Sequence, residues 1–291
     1  MKKFLCLLLA TVCILGILSI SANAAPSFNR TKRVVVVTRE DGSGTKGAFV
    51  ELFGVQRVNK NGVKVDAIYK EAIVCNSTSV VLATVAKDMY AIGYVSLGSL
   101  NDTVKAVKIN GVAATTANVK NGKYEVKRPF NIATKGAPNA LAQDFINFIL
   151  SAEGQAVAEK NGYVSEGDKG AYKAGAANLS GKLVVAGSSS VTPLMEKLKE
   201  AYAQLNPNVT IEIQMSDSSM GMTATADGLC DIGMASRELK DSETAKGLRP
   251  ITICQDGIAI IVSNSNPIED LTIAQVKSVF LNPSRWSALS K

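Results

Sequence analysis

The residues of this chain that could do chemistry are hydroxyls, glycines and arginines at the ends of apolar runs. Arg39, Ser43, Gly44 and Thr45 follow one run; Ser189, Ser190 and Val191 follow another; Ser218 follows a third, and Ser236 with Arg237 a fourth. Hydroxyls, backbone N–H groups and guanidinium groups are hydrogen-bond donors, and the arginines add positive charge. None is a ready general base. The chain has no histidine, which excludes Ser-His-Asp and Cys-His catalysis and removes the commonest zinc ligand. The set is suited to holding an oxyanion, not to breaking a bond.

Two enzyme-like patterns compete for the first cluster. Ser43-Gly44-Thr45-Lys46 is formally S-x-x-K, the nucleophile motif of penicillin-recognising serine enzymes, and would make Ser43 and Lys46 an acyl-enzyme pair. No convincing Ser-Asp-Asn partner accompanies it. The same residues hint at a phosphate loop, but the glycine spacing of G-x-x-x-x-G-K-[ST] is absent. Asp217, Asp227, Asp231 and Asp241 are spread over different elements and not set in a calcium loop. Beyond the apolar N-terminal segment the cysteines are Cys75, Cys230 and Cys254, odd in number and without a CxxC pair, so buried apolar cysteines are expected. No cofactor motif or metal set emerges.

The elements that must position these groups alternate between strand and helix, as in α/β lobes with mostly parallel sheets. Val34 to Val37 reads as a buried strand. Ala48, Phe49, Leu52 and Phe53 mark a helix face that ends at Gly54. The turn between them leaves the first N–H groups of the helix unpaired, a socket for an anion. Further along, Ser79–Lys87 reads as helix, Ala91–Val95 as strand, and Val104–Ile109 and Arg128–Thr134 as strands. Leu141 to Ile149 and Glu153–Glu159 read as helices. The glycine-rich stretch 165–181 reads as a linker loop.

The opening pattern then recurs. Leu183–Ala186 is a strand, Gly187 to Ser190 a turn, and Leu194, Leu198, Tyr202 and Leu205 one helical face. Val209–Gln214 is a strand leading through Ser216 to Ser219 into a helix over Met220–Asp227. Asp231–Ala235 and Ile258–Val262 are strands, and Thr272 caps a helix reaching Phe280. Serine at a helix start is ordinarily a cap, so Ser189-Ser190 and Ser218-Ser219 have that simpler reading too. Several such turns with two arginines exceed what capping needs. In open α/β sheets they gather at the carboxyl ends of the strands, where ligands bind.

Lys2 and Lys3 precede an uncharged apolar run, and Ala22-Asn23-Ala24 offers small-x-small cleavage. Residues 1–24 therefore read as a secretory signal peptide of an exported protein, periplasmic or at the cell surface. Cys13 lacks the neighbours of a lipidation site. The formal net charge of +7 includes those two lysines. The remaining charges are scattered and aromatics are few, which argues against nucleic acid and suits a small anion.

Taken together, Thr38-Arg39-Glu40-Asp41-Gly42-Ser43-Gly44-Thr45-Lys46-Gly47-Ala48-Phe49, Gly187-Ser188-Ser189-Ser190-Val191-Thr192-Pro193-Leu194-Met195 and Asp231-Ile232-Gly233-Met234-Ala235-Ser236-Arg237-Glu238-Leu239 closely resemble the phosphate-binding proteins of Pst-type ABC transporters. Gly257 to Val262, Ala91 to Val95 and Gly122 to Pro129 fit the same resemblance, which covers nearly the whole chain after the signal. The order is exchanged: the part resembling the family's first half is 182–286, and it follows 33–165, as in a circular permutation.

The resemblance implies a two-lobe periplasmic-binding-protein-like (type II) fold. One lobe would be continuous over 95–256; the other would be assembled from 31–94 and 257–291, with crossovers near Val95 and Gly257. It implies a monomeric, non-enzymatic protein that takes inorganic phosphate between its lobes and hands it to a permease. Arg39, steadied by Asp41, would pair with phosphate oxygens. Ser43, Gly44, Thr45, Ser189, Ser190, Val191 and Ser218 would donate hydrogen bonds. Ser236 and Arg237 stand where the best-known members carry an aspartate, so Arg237 would favour any tetrahedral anion. Asp41 or Asp217 would then be left as acceptor for the phosphate proton. Alternative readings are a binder of sulfate, molybdate or phosphonate, and a receptor module without transport.

Overall fold

The computed structural model describes residues 27–173 and 179–289; the expected signal peptide, and part of the expected linker, lie outside them. Among the described residues no helix is long and apolar enough to cross a membrane.

Each strand-to-helix turn forms where a short polar residue can cap. β1 (Val35–Arg39) turns into α1 (Gly44–Leu52), whose N-cap Ser43 accepts from the Lys46 N–H. A small hairpin, β2 (Gln56–Val58) and β3 (Lys64–Asp66), precedes β4 (Ile73–Cys75). Ser77 caps α2 (Thr78–Lys87), which leads to the wholly buried β5 (Ala91–Ser96). β6 (Val104–Ile109) and the short α3 (Thr116–Lys120) lead to β7 (Lys127–Lys135). Asn139 and Ser151 cap α4 (Ala140–Leu150) and α5 (Ala152–Lys160).

The second run is β8 (Gly181–Ser188), α6 (Thr192–Leu205), β9 (Val209–Ser216), α7 (Ser218–Ala226) and β10 (Ile232–Ala235). After α8 (Asp241–Thr244) comes the 16-residue β11 (Leu248–Ser263). β12 (Asp270–Leu271) and α9 (Ile273–Leu281), capped by Thr272, follow.

The strands join in the order β4-β1-β5-β11-β7-β10-β8-β9, with β6 beside β11 and β12 beside β6. β4, β1 and β5 are mutually parallel, as are β10, β8 and β9. The expectation of mostly parallel sheets fails at the centre. β11 runs antiparallel to β5, β6 and β7, and β7 runs antiparallel to β10.

β11 makes one sheet serve two lobes. Its first part pairs with β7, and from Ile258 onward it lies against β5 and β6. The apolar cores divide at the same place. One gathers Val34 to Val126 with Ile258 to Leu289; the other runs from Phe130 to Cys254. The crossover expected near Val95 therefore moves to residues 126–128. Val107, Ile109, Val119 and Tyr124 pack with the first core, because β6 takes its partner, Ile260 opposite Val107, from the returning strand. The return passes through Asp256 and Gly257. The continuous lobe is accordingly shorter than 95–256.

The described ends are sewn together. Val34 N–H donates to Ser284 (2.9 Å), Trp286 N–H to Lys32 (3.1 Å) and Ser287 N–H to Arg30 (2.7 Å). Trp286 is fully buried, its ring N–H donates to the Tyr90 carbonyl (3.2 Å), and Phe28 meets its edge at 5.6 Å. Trp286→Ala leaves a large void at this seam and should cost about 3–5 kcal/mol of stability. Urea denaturation checks it: a loss under about 1 kcal/mol would show that the seam contributes little.

Candidate functional site

The turns after β1, β4, β8, β9 and β10 meet between the lobes, at the carboxyl ends of their strands. There, seven hydroxyl side chains stand around one guanidinium. Arg39, Thr45 and Thr78 come from the first lobe, and Ser188, Ser189, Ser190, Ser218 and Ser236 from the second; each is buried, none more than 4% exposed. The helices starting at these turns, α1, α2, α6 and α7, aim their amino ends at the same place, where N–H groups and the helix dipole favour negative charge.

Arg39 ties the lobes. Its Nε and Nη2 donate to the two Glu40 carboxylate oxygens (2.7 and 2.6 Å), Nη1 donates to Thr78 Oγ1 (3.2 Å) and Nη2 to Ser189 Oγ (3.0 Å). Beneath it Tyr94 fixes the strand end: its hydroxyl lies 2.7 Å from Thr38 Oγ1 and accepts from the Arg39 N–H at 3.2 Å. The Tyr94 ring stacks on Phe49 of α1 at 4.0 Å. Burial pushes the Tyr94 phenol well above its ordinary value, so it stays neutral.

The hydroxyls bond across the cleft. Thr45 Oγ1 lies 2.8 Å from Ser190 Oγ, which lies 2.9 Å from Thr78 Oγ1. Ser188 donates to Ser236 Oγ (3.0 Å), and the Ser236 N–H donates to Ser218 Oγ (3.1 Å). Even backbone meets backbone: Ser219 N–H donates to the Gly42 carbonyl at 3.2 Å. Approach is so close that a Cβ on Gly44 would stand 2.4 Å from Ser218 Oγ and 2.7 Å from Ser236 Oγ.

Under this floor, at the crossovers, Arg128 and Asp256 are cross-strand partners and a buried ion pair at 3.1 Å. Asp256 also accepts from Ser96 (2.9 Å), and Arg128 donates to the Ser236 carbonyl (3.0 Å). Burial raises the Asp256 carboxyl above its usual range, against the pull of Arg128 and Ser96, and burial lowers the Arg128 guanidinium. The pair connects both crossovers to the site, and nothing in the linear pattern singled it out.

Not every expected residue faces the cluster. Thr45, Ser189, Ser190, Ser218 and Ser236 do, with Arg39. Ser43 caps α1, and Gly44 and Val191 supply backbone at helix starts. Asp41 does not steady Arg39: its side chain is 99% exposed and bonds Lys46 at 2.6 Å. Glu40 takes that place, because the chain turns back at the strand end. Asp217 caps α7, accepting from the Met220 N–H at 2.8 Å.

Arg237 lies across α1 with its guanidinium held by Glu243 (2.7 and 2.8 Å) and Ser219 (3.2 Å). Its hydrogen bonds all stay within the second lobe, and it is not a member of the cluster. Burial alone would raise the Glu243 carboxyl, but Arg237 and the Lys240 N–H outweigh it and hold it below its ordinary value. The serine acyl-enzyme reading loses its geometry as well. Lys46 Nζ is engaged by Asp41 and by Asp66 (2.8 Å), while the Ser43 hydroxyl accepts from the Lys46 N–H at 3.2 Å. Cys75, Cys230 and Cys254 are free and buried.

A model of the PBP superfamily domain matches residues 23–153 and 173–288. The phosphate-binding protein PstS 2 of Streptococcus agalactiae is 51% identical over 295 residues, spanning 100% of both chains. Its order of halves is therefore the order found here. The phosphate-binding protein PstS 2 of Streptococcus pneumoniae is 44% identical over 259 residues, 89% of this chain and 88% of that one. A crystal structure of a phosphate ABC transporter's phosphate-binding protein from Streptococcus pneumoniae aligns at TM-score 0.68 with 42% identity, over 89% of this chain and 100% of that one.

The fit around Gly44 gives a direct expectation. Gly44→Ala wedges a methyl group between the lobes, so oxyanion affinity should fall at least about tenfold while the melting temperature changes little. Titration calorimetry beside thermal melting checks it; unchanged affinity would mean the lobes need not approach this closely.

Proposed function

The chain belongs to the PBP superfamily and, within it, to the PstS-type phosphate-binding proteins, and on that footing we propose that it captures inorganic phosphate between its lobes for uptake by an ABC importer. The observation that carries this reading is the ring of hydroxyls, drawn from both lobes, around the Arg39 guanidinium. A tetrahedral oxyanion presents several acceptor atoms in different directions. Donors arranged on all sides match it better than they match a planar carboxylate.

The charge balance explains why such a site releases its ligand. Arg39 is already paired with Glu40, Arg128 with Asp256 and Arg237 with Glu243. The anion is therefore met mainly by dipoles: hydroxyls, N–H groups at four helix starts, and the remaining Nη1–H of Arg39. Micromolar affinity corresponds to about −8 kcal/mol. Hydrogen bonds to a charged group contribute about 1.5–3 kcal/mol each, enough to reach that value after desolvation and the ordering of the lobes. Because the donors belong to both lobes, phosphate bridges them, and a permease can distinguish loaded from unloaded protein by their relative position. The work is extracytoplasmic, in keeping with the expected signal peptide.

Phosphate at about a hundred times its dissociation constant should stabilise the protein by about 2.7 kcal/mol. For a protein of this size that raises the melting temperature by roughly 5–10 °C, whereas chloride should not. Arg39→Gln should abolish the phosphate-dependent rise. A thermal-shift series with phosphate, sulfate, molybdate and a phosphonate checks both statements. No rise with phosphate, or an undiminished one in the variant, would contradict the assignment.

A further inference from the structure

We propose that the hydroxyl oxygens of Thr45 and Ser236, in place of a carboxylate, accept the proton that phosphate carries, so that the site discriminates only weakly against unprotonated tetrahedral anions such as sulfate. This rests on the phosphate reading above and concerns what sets its specificity.

The hydrogen-bond polarity of the cluster is set at Arg39 and is adjustable among the hydroxyls beyond it. Arg39 can only donate. Thr78 Oγ1 accepts from Arg39 Nη1 (3.2 Å) and lies 3.3 Å from Ser189 Oγ and 2.9 Å from Ser190 Oγ, which in turn lies 2.8 Å from Thr45 Oγ1; in each of these hydroxyl pairs either oxygen can donate. Ser189 Oγ already accepts from Arg39 Nη2 (3.0 Å) and from the Thr78 N–H (3.3 Å), which fills both its lone pairs. A second run starts at the Ser190 N–H, which donates to Ser188 Oγ (3.3 Å); Ser188 in turn donates to Ser236 Oγ (3.0 Å).

The two runs end at Thr45 and Ser236, whose oxygens lie 3.5 Å apart. Each has hydroxyl neighbours behind it, Ser190 for Thr45, and Ser188 and Ser218 for Ser236, and each carries a rotatable hydrogen. Such a hydroxyl donates to a bare oxygen or accepts from a protonated one, as the anion requires.

The carboxylates around the cluster are engaged elsewhere. Both Glu40 oxygens hold Arg39, Asp41 holds Lys46, and Asp217 caps α7. Asp256 holds Arg128 and Ser96, Glu243 holds Arg237, and Glu238 accepts from Asn131. A carboxylate aimed at the phosphate hydroxyl would be left unpaired, and repelled, by sulfate. Sites built to bond a substrate hydroxyl reject an analogue lacking it by about 10⁴–10⁵. A hydroxyl pair that can turn its hydrogens has no such penalty.

Calorimetric titration of the intact chain with phosphate and with sulfate tests this. The expected result is a phosphate-to-sulfate affinity ratio below about 1,000, and a Glu40→Gln variant that weakens both anions with the ratio kept. Sulfate rejection beyond about 1,000-fold would overturn the proposal, as would a Glu40→Gln variant in which phosphate alone loses affinity. Binding of neither anion would instead strike the phosphate reading itself, so the two failures are distinguishable.

Discussion

A buried guanidinium must place its donors, and the arrangement of this protein follows from how Arg39 does so. Its side chain is 2% exposed, and its N–H groups go to Glu40, Thr78 and Ser189. Glu40 neutralises it locally; Ser189 belongs to the other lobe. Satisfying one arginine therefore already requires two lobes, and the remaining hydroxyls are bonded to one another outward from its partners. Tyr94 and Phe49 hold the strand end from below, so the charge is fixed before any ligand arrives.

The crossovers are arranged by a second buried pair with a different task. Arg128 and Asp256 face each other across β7 and β11, on the segments that carry the chain from one lobe to the other. Such a pair adds little net stability over apolar packing, but losing one partner is costly. What it provides here is register: it fixes the two crossovers against each other and, through the Ser236 carbonyl, against the floor of the site.

Much of this was legible in the residues. The valine run, the capping serines and the amphipathic spacing located β1, α1, α2, α4, α6 and α9, because caps and periodicity are local properties. Thr45, Ser189, Ser190, Ser218 and Ser236 were legible for the same reason, lying at turns whose position the flanking strands dictate, whereas Thr78 and Ser188 were not singled out. Three further features were not. Glu40 next to Arg39 would point away in a regular strand; only the turn brings it back. Arg237 reads as an anion ligand until Glu243, six residues on, folds against it in α8. The first half of β11 contains Pro250, which reads as a break. It is tolerated because around Pro250 the strand pairs only with β7; the other side is bridged farther along, at Gln255 by Val164. All three depend on contacts that sequence periodicity does not carry, as does the placement of the first crossover.

The seam at Trp286 has a bearing on the order in which the protein acquires its shape. The lobe that carries Arg39 needs the end of β11, α9 and Trp286 to complete its sheet and core, and these are made last. The other lobe, from Phe130 to Cys254, is contiguous and has its parts at hand sooner. Contiguous units assemble early, while pairings between distant segments wait for the chain to close its largest loop. By that rule the contiguous lobe is expected to close before the lobe that carries Arg39, although the Arg39 strand comes earlier in the chain.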